Sequence, residues 1–178
     1  MMAVAAAEEG QSILDMCTGS GCILLSLLHY SNNCTGVGVD ISEAALTVAK
    51  TNCEALGLNA SFLQSDLFEK VEGTYDIIVS NPPYIRSDVI PTLMEEVKGH
   101  EPMLALDGME DGLYFYRKIV KESKKFLNGG GMLFFEIGYD QGAQVSEMMK
   151  LAGYCEVKVV KDLAGLDRVV IGKLMQEE

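Results

Sequence analysis

Short apolar runs alternate with amphipathic stretches along this chain of 178 residues. The runs predict strands at 13–16, 36–39, 60–63, 76–79, 132–137, 156–161 and 168–174. Helical spacing and capping signals predict helices at 23–30, 43–56, 91–97, 113–127 and 141–151. This alternation predicts a doubly wound α/β domain: a mostly parallel, seven-stranded sheet with helices on both faces. The last two strands flank Gly165 and predict a C-terminal antiparallel hairpin.

Residues with a strong positional preference set the predicted helix ends. Ser42 is a good N-cap for the second helix, and Gly57 a good stop. The glycine-rich stretch 128–131 is expected to end the helix at 113–127. Asp140 is expected to cap the last helix, which Gly153 ends. These signals leave a long connection from residue 85 to residue 111, with one helix inside it.

Polar side chains follow four of the predicted strands: Asp15, Asp40, Asp66 and Asn81. In an open parallel sheet, ligands bind beyond the carboxyl ends of the strands. Because all four residues fall at such ends, we expect them to share one site.

The turn Asn81-Pro82-Pro83-Tyr84 follows the apolar run 77–79 directly. Two consecutive prolines cannot continue a central strand, since each lacks a backbone donor, so the chain leaves the sheet in a stiff extended turn. Carbonyl oxygens beside a proline can stay free to face a ligand, and Asn81 adds a side-chain acceptor. Two acceptors beside an aromatic ring suit a planar NH₂ group. The alternative is that the prolines only end a strand.

A small-residue loop, 17–21, joins the first strand to the first helix. Gly19 and Gly21 let the backbone approach a ligand closely, and the helix that follows presents free N–H groups. A dinucleotide fingerprint needs a third glycine where the chain has Leu24, which disfavours a nicotinamide dehydrogenase. Asp40 can accept hydrogen bonds from both hydroxyls of a ribose; alternatively it is a helix N-terminal carboxylate.

Asp15 and Asp66 each admit two roles. Asp15 lies in an apolar strand, either as part of a cofactor cradle or as a buried acid that orients the helix. Asp66 could accept a hydrogen bond from an adenine amine, with Leu67 supplying a backbone donor and Phe68 an apolar wall. Its alternative is a plain turn aspartate.

The charge balance disfavours a polyanionic partner. There are 14 basic and 26 acidic residues, a net charge of −12, whereas nucleic-acid proteins carry a basic face. No apolar stretch is long enough to span a bilayer, so no membrane association is expected. The five cysteines show no CxxC spacing and the two histidines complete no zinc pattern, which indicates reduced thiols in the cytoplasm and no metal site.

Taken in order, these motifs resemble a class I S-adenosylmethionine-dependent methyltransferase of the amino-methylating kind: Asp15-Met16-Cys17-Thr18-Gly19-Ser20-Gly21, Asp40, Asp66 and Asn81-Pro82-Pro83-Tyr84. Further stretches resemble the catalytic domain of the release factor glutamine methyltransferases (the HemK/PrmC family): Glu101-Pro102, Ala105-Leu106, Asp111-Gly112-Leu113, Glu136-Ile137-Gly138, Asp140-Gln141-Gly142 and 161–168. The resemblance covers almost the whole chain.

The resemblance implies methyl transfer to the side-chain amide of the glutamine in the Gly-Gly-Gln loop of a peptide chain release factor. It implies these cofactor-binding residues: Asp15, Cys17, Thr18, Gly19, Ser20, Gly21, Asp40, Ile41, Asp66, Leu67 and Asn81. Asn81, Pro82 and Tyr84 are the implied catalytic residues. Pro83 and Glu101 join them as substrate-binding residues, Glu101 either orienting the loop over the substrate or lying in solvent.

Two positions and the length depart from the family pattern. Cys17 and Met109 stand where the family usually has glycine, and a β-carbon at 17 is expected to crowd the methionine part or to shift the loop. The family carries an N-terminal helical domain that is not expected here, so residues 1–178 are expected to form the catalytic domain alone. Two alternatives stay open: a nucleic-acid amino-methyltransferase that acts on a flipped base, and a cofactor-binding scaffold without turnover.

Overall fold

The structure, a computed structural model, describes residues 7–94 and 102–175. Within these ranges the strands are β1 Ser12–Met16, β2 Thr35–Asp40, β3 Ser61–Gln64, β4 Tyr75–Ser80, β5 Leu127–Glu136, β6 Tyr154–Lys161 and β7 Asp167–Leu174. The α-helices there are α1 Cys22–Tyr30, α2 Glu43–Ala55, α3 Met103–Leu106, α4 Tyr114–Ser123 and α5 Gly142–Leu151. A 3₁₀ helix covers Ile90–Thr92.

The strands form one sheet in the order β3-β2-β1-β4-β5-β7-β6. The five strands β3, β2, β1, β4 and β5 run parallel to one another, while β7 pairs antiparallel with both β5 and β6. The predicted mostly parallel, seven-stranded sheet with a C-terminal antiparallel hairpin is therefore confirmed.

Each face of the sheet carries its own apolar core, because successive side chains of a strand point to opposite faces. On one face Leu14 and Ile78 pack with residues of α4 and α5, such as Ile119 and Val145, and form the larger cluster, called the main core below. On the other face, the neighbouring strand residues pack against α1: Ile13, Ile77, Val79 and Phe134 with Leu24, Leu27 and Leu28. Strands buried on both faces explain the continuous apolar runs of the sequence.

Two predicted element ends were wrong. The glycine-rich stretch 128–131 does not end a helix but lies inside β5, which begins at Leu127, while α4 ends earlier at Ser123. A Cβ at Gly131 would lie 2.9 Å from the Asn128 carbonyl and 3.0 Å from that of Asp76, so close backbone approach explains glycine there. Asp140 does not cap α5, because Gln141 occupies the N-cap position without a side-chain cap hydrogen bond.

The prediction that Ser42 caps a helix was confirmed, whereas the helix predicted in the long connection was not found in its described part. The hydroxyl of Ser42 accepts a hydrogen bond from the Ala45 N–H at 3.2 Å, so Ser42 caps α2. In place of the helix predicted at 91–97, the described part holds only the 3₁₀ helix, and residues 95–97 lie outside the described residues. The short α3 was not predicted. Among the helices described, none has both the length and the apolar character needed to cross a membrane.

Candidate active site

The sheet brings the polar strand ends together at one edge. In the parallel register Met16 pairs with Val39 of β2 and with Ser80 of β4. Asp40 and Asn81 each follow one residue later, on either side of the loop that leaves β1. The strand β3 pairs Gln64 with Asp40, so the chain also delivers Asp66 to this edge. The structure thus gathers the four strand-end residues around the start of α1.

Asp15 is a buried acid that organises the loop after β1. Its Oδ2 accepts hydrogen bonds from the Thr18 hydroxyl at 2.6 Å and from the Leu24 N–H at 3.2 Å. Its Oδ1 is buried and has no hydrogen-bond partner among the residues described. Burial raises the pKa of this carboxyl to about 7, and the hydrogen bonds from Thr18 and Leu24 oppose the rise.

The loop itself is built from left-handed backbone. Gly19 has φ 56°, Gly21 has φ 79°, and Cys17 has φ 61°. This conformation costs a non-glycine residue about 1–2 kcal/mol, so Cys17 holds a position suited to glycine. Its side chain packs half-buried against the main core. Burial, together with the nearby Asp40, raises the pKa of the thiol to about 12, so the thiol stays protonated at neutral pH.

Asp40 ties the loop to the start of α2. One carboxylate oxygen accepts the Gly19 N–H at 2.9 Å, and the other accepts the Ser42 N–H at 2.9 Å. Each oxygen keeps further acceptor capacity, and the side chain is only half-buried. Both roles weighed for Asp40 therefore fit: it serves the helix N-terminus and can still accept hydroxyl donors.

The remaining loop residues contribute mainly backbone. Ser20 is exposed, and its carbonyl accepts from the side chain of Asn52 at 3.0 Å. Ile41 is 47% exposed at the rim beside Asp40, which leaves an apolar side chain available to a ligand. Its carbonyl accepts from Gln64 at 3.1 Å. These contacts hold the rim of the site without occupying it.

Asp66 is exposed and Leu67 has φ 47°, so the chain turns sharply beside the strand ends. The Leu67 side chain is buried, which leaves its backbone as the part that can face a ligand. The expectation that Phe68 forms an apolar wall was wrong. Phe68 is 4% exposed and stacks on Phe126 in the main core, with ring centroids 4.8 Å apart.

The turn after β4 presents free acceptors. Ser80 anchors its start, since its hydroxyl donates to the Met16 carbonyl at 2.7 Å. The Asn81 side chain is exposed, and Pro82 and Pro83 are buried. Within 7–94 and 102–175, no hydrogen bond involves the Asn81 side chain or the Pro82 carbonyl. Both acceptors are therefore unpaired among these residues, at the edge where the loop 17–21 lies.

Tyr84 closes the turn and packs against the main core while half-buried. Burial and the nearby Glu136 carboxylate raise the pKa of its hydroxyl, and Arg168 opposes that rise. Rim packing is therefore observed for this ring. Stacking on a substrate amide stays a prediction.

Gln141 is the site residue that sequence reasoning missed. Its buried amide donates to the Tyr84 carbonyl, so it contacts the turn directly. The stretch 140–142 matched a family motif, but no pattern in the sequence showed which way this side chain points. Glu101 lies outside the described residues. Among the residues described, no group of three or more His, Cys, Asp or Glu side chains could hold a metal ion.

Residues 1–98 match the family model described as methyltransferase small domain. The release factor glutamine methyltransferase of Agrobacterium fabrum is 46% identical over 160 residues, which cover 89% of this chain and 55% of that protein. That of Clostridium acetobutylicum is 45% identical over 166 residues, covering 90% of this chain and 58% of its own length. The chain thus spans little more than half the length of these relatives.

Solved methyltransferases share the fold at low sequence identity. A methyltransferase from Pyrococcus furiosus superposes with a TM-score of 0.71 and 21% identity, over 94% of this chain and 77% of its own. A 16S rRNA N2 G1207 methyltransferase from Thermus thermophilus gives a TM-score of 0.64 and 20% identity, over 94% of this chain and 38% of its own. The predicted class I methyltransferase fold is therefore confirmed.

Proposed function

Because this chain belongs to the methyltransferase small domain family, we propose that it transfers a methyl group from S-adenosylmethionine to a glutamine side-chain amide. The glutamine proposed is that of the Gly-Gly-Gln loop of a peptide chain release factor. The names of the relatives that are 46% and 45% identical support this substrate. Residues 1–178 are proposed to act as one catalytic domain, in the cytoplasm, where release factors work.

One observation carries the proposal: the Asn81 side chain and the Pro82 carbonyl make no hydrogen bond with any described residue. A primary carboxamide has two N–H donors in one plane. Two free acceptors on a turn whose φ angles are fixed by proline can receive both of them. The acceptors lie at the edge of the sheet where the loop 17–21 ends, so an amide held there is next to the cofactor residues.

The residues around that loop fit the proposed cofactor. Asp15 has a buried, unpartnered Oδ1, and Asp40 keeps acceptor capacity that suits the two hydroxyls of a ribose. The left-handed backbone at Gly19 and Gly21 allows a close approach. The adenine is assigned to the turn of Asp66 and Leu67, beside the exposed Ile41, and the cofactor supplies an electrophilic methyl group on a sulfonium.

An amide nitrogen is a poor nucleophile because its lone pair is delocalised into the carbonyl. Positioning is therefore the main task of the protein. Holding the amide nitrogen, the methyl carbon and the sulfur in line recovers entropy that a free encounter loses. With the cofactor held at this edge, the amide nitrogen would form a bond to the methyl carbon as the carbon–sulfur bond breaks, and one amide proton would then leave to solvent. Positive charge builds on nitrogen during transfer, which strengthens its hydrogen bonds to Asn81 and Pro82.

Tyr84 and Pro83 complete the proposed substrate site. The Tyr84 ring, held half-buried beside the turn, is assigned to stack on the flat amide and restrict its rotation. Pro83 keeps the turn stiff and removes a backbone donor that would compete for the acceptors. A protein partner also suits the net charge of −12, which repels polyanions over long range.

The direct test is mass spectrometry of a release factor incubated with the protein and S-adenosylmethionine. We expect the mass of one methyl group to be added to the loop glutamine. Asn81→Ala should lower the rate of methylation at least about 100-fold, because it removes the side-chain oxygen proposed to accept a hydrogen bond from the reacting nitrogen. Affinity for S-adenosylhomocysteine should stay within several-fold, measured by calorimetry.

Three results would each contradict the proposal. Asn81→Ala could retain wild-type turnover, which removes the amide-holding role. The wild-type protein could instead label stripped rRNA or DNA and leave release factor untouched, which would favour an amino-methyltransferase of nucleic acid. Cofactor binding without any labelled product, even on a short Gly-Gly-Gln peptide, would favour a scaffold without turnover.

A further inference from the structure

Gln141 is a buried side chain whose amide has hydrogen-bond partners at both its nitrogen and its oxygen. Its Nε2 donates to the Tyr84 carbonyl at 3.0 Å and to the Gly112 carbonyl at 3.2 Å. Its Oε1 accepts from the Gly138 N–H at 3.0 Å. The Tyr116 hydroxyl lies 3.4 Å from the same oxygen, but its single hydrogen is shared with the closer Glu136 carbonyl at 3.0 Å. A glutamine amide offers two donors and two lone pairs, so both donors and at least one lone pair of this amide are used. It joins the turn after β4, the segment before α4, α4 itself and the start of α5.

Two glycines leave the space that the Gln141 amide occupies, and a side chain at either position would collide with it. A Cβ at Gly138 would lie 2.9 Å from Oε1. A Cβ at Gly112 would lie 2.9 Å from Nε2 and would overlap the Tyr84 carbonyl oxygen. With the residue only 7% exposed, solvent cannot readily replace these hydrogen bonds.

The hydrogen bonds of Gln141 fix the far end of the turn 81–84. At the near end, the Ser80 hydroxyl holds the Met16 carbonyl at 2.7 Å. Between these two anchors lie the free acceptors of Asn81 and Pro82. Because both proline φ angles are fixed, few backbone rotations remain between the Tyr84 and Pro82 carbonyls, and a hydrogen bond that holds the Tyr84 carbonyl restricts them.

We propose that Gln141 is a positioning residue for methyl transfer, which sets the direction of the Pro82 carbonyl through its hydrogen bond to the Tyr84 carbonyl. This inference rests on the proposed function. Gln141 touches neither substrate nor cofactor; it acts through Tyr84. Its position at the N-cap of α5, without a capping hydrogen bond of its own, agrees with a side chain committed to the turn.

The test compares Gln141→Met, which keeps the length of the side chain and removes the hydrogen bonds of the amide, with Gln144→Met. Gln144 lies exposed on the same helix, so it controls for the change of residue type. Turnover of a Gly-Gly-Gln peptide is measured per S-adenosylhomocysteine site, titrated by calorimetry, which corrects for any misfolded fraction. We expect kcat to fall about 10- to 100-fold for Gln141→Met, as small misplacements of reacting groups do. Cofactor affinity should stay within about twofold, because Asp15 and Asp40 lie on other strands.

A second measurement does not depend on activity. The Ile85 N–H donates to the Leu106 carbonyl at 3.0 Å, directly after the turn. Its hydrogen exchange should speed up at least about tenfold in Gln141→Met but not in Gln144→Met. Unchanged kcat per site, or unchanged exchange at Ile85, overturns the inference. If the wild-type protein methylates no glutamine, the proposed function is wrong instead. Hydrogen exchange at the Ile85 N–H then decides whether Gln141 holds the turn.

Discussion

At the scale of single residues, Asp15 shows what a buried carboxyl costs and what it organises. Burial raises its pKa from 3.8 to about 7, although the Thr18 hydroxyl and the Leu24 N–H both donate to it. The unpartnered Oδ1 explains why these two hydrogen bonds do not offset desolvation. The strain at Cys17, with φ 61°, lies directly beside it. The loop thus combines a buried carboxyl and a strained backbone where a ligand is proposed to bind, and such energetic costs are common at functional sites.

The raised pKa of Asp15 predicts that stability falls as pH rises from about 5 to about 7. The folded state keeps the proton up to about pH 7, whereas the unfolded carboxyl has lost it above about pH 4. The folded state therefore binds more protons in this window, and this group contributes a slope of up to about −1.4 kcal/mol per pH unit. Above pH 7 the slope should flatten.

The measurement is urea unfolding of wild type and Asp15→Asn at pH 5, 6, 7 and 8. The difference between their free energies of unfolding isolates Asp15, because other groups titrate alike in both proteins. We expect the advantage of the wild type to shrink by roughly 3 kcal/mol over this range, most of it below pH 7. A pH-independent difference would show that the carboxyl stays ionised in the fold.

At the scale of elements, the segment 107–112 shows a local conflict. Met109 has φ 70° and is 44% exposed. The family that the chain resembles usually has glycine at this position. Two contacts of Asp107 hold it there: the carboxylate accepts the Met109 N–H at 2.8 Å and the Ser87 hydroxyl at 2.7 Å. The carbonyl of Met109 also accepts the Ser87 N–H at 3.0 Å. Because these hydrogen bonds fix the backbone, the residue cannot relax to a negative φ.

Met109→Gly is expected to stabilise the protein by about 0.5–1 kcal/mol. Removing the left-handed strain contributes about 1–2 kcal/mol, and the greater freedom of glycine in the unfolded chain costs about 0.5–1 kcal/mol. The control is Met103→Gly, since Met103 is also exposed, at 57%, but does not have a positive φ. Chemical unfolding should show the control destabilised. Equal destabilisation of both variants would mean that residue 109 carries no strain.

The same scale shows what local sequence could and could not predict. The cap at Ser42 and the strands of the parallel sheet were predicted because their signals are local: a hydroxyl before a helix and apolar runs of strand length. The stretch 128–131 was misread because glycine usually ends a helix. Here the strand pairing places Gly131 against the carbonyl of Asp76 on β4, a contact that no local pattern reveals.

At the scale of the whole molecule, topology explains why most candidate site residues were accessible to sequence reasoning. Parallel strands deliver their carboxyl ends to one edge, so Asp15, Asp40 and Asn81 come together once the strand order is known. The inward direction of Gln141 and the burial of Phe68 depend on how α4 and α5 pack over the sheet. Side-chain direction at such junctions is a tertiary property, and the sequence offers only the residue type.

A cofactor held by loops from several strands should stabilise the entire domain. S-adenosylhomocysteine at 100 times its Kd should add about 2.7 kcal/mol, which raises Tm by roughly 5–11 °C for a chain of this length. Asp40→Ala should show a much smaller shift at the same ligand concentration, measured against its own unliganded Tm, because it lacks the proposed ribose acceptor. NAD should give no shift, since Leu24 stands where a dinucleotide loop needs its third glycine. An equal shift in Asp40→Ala, or one produced by NAD, would place the nucleoside elsewhere and remove the basis for assigning this edge to methyl transfer.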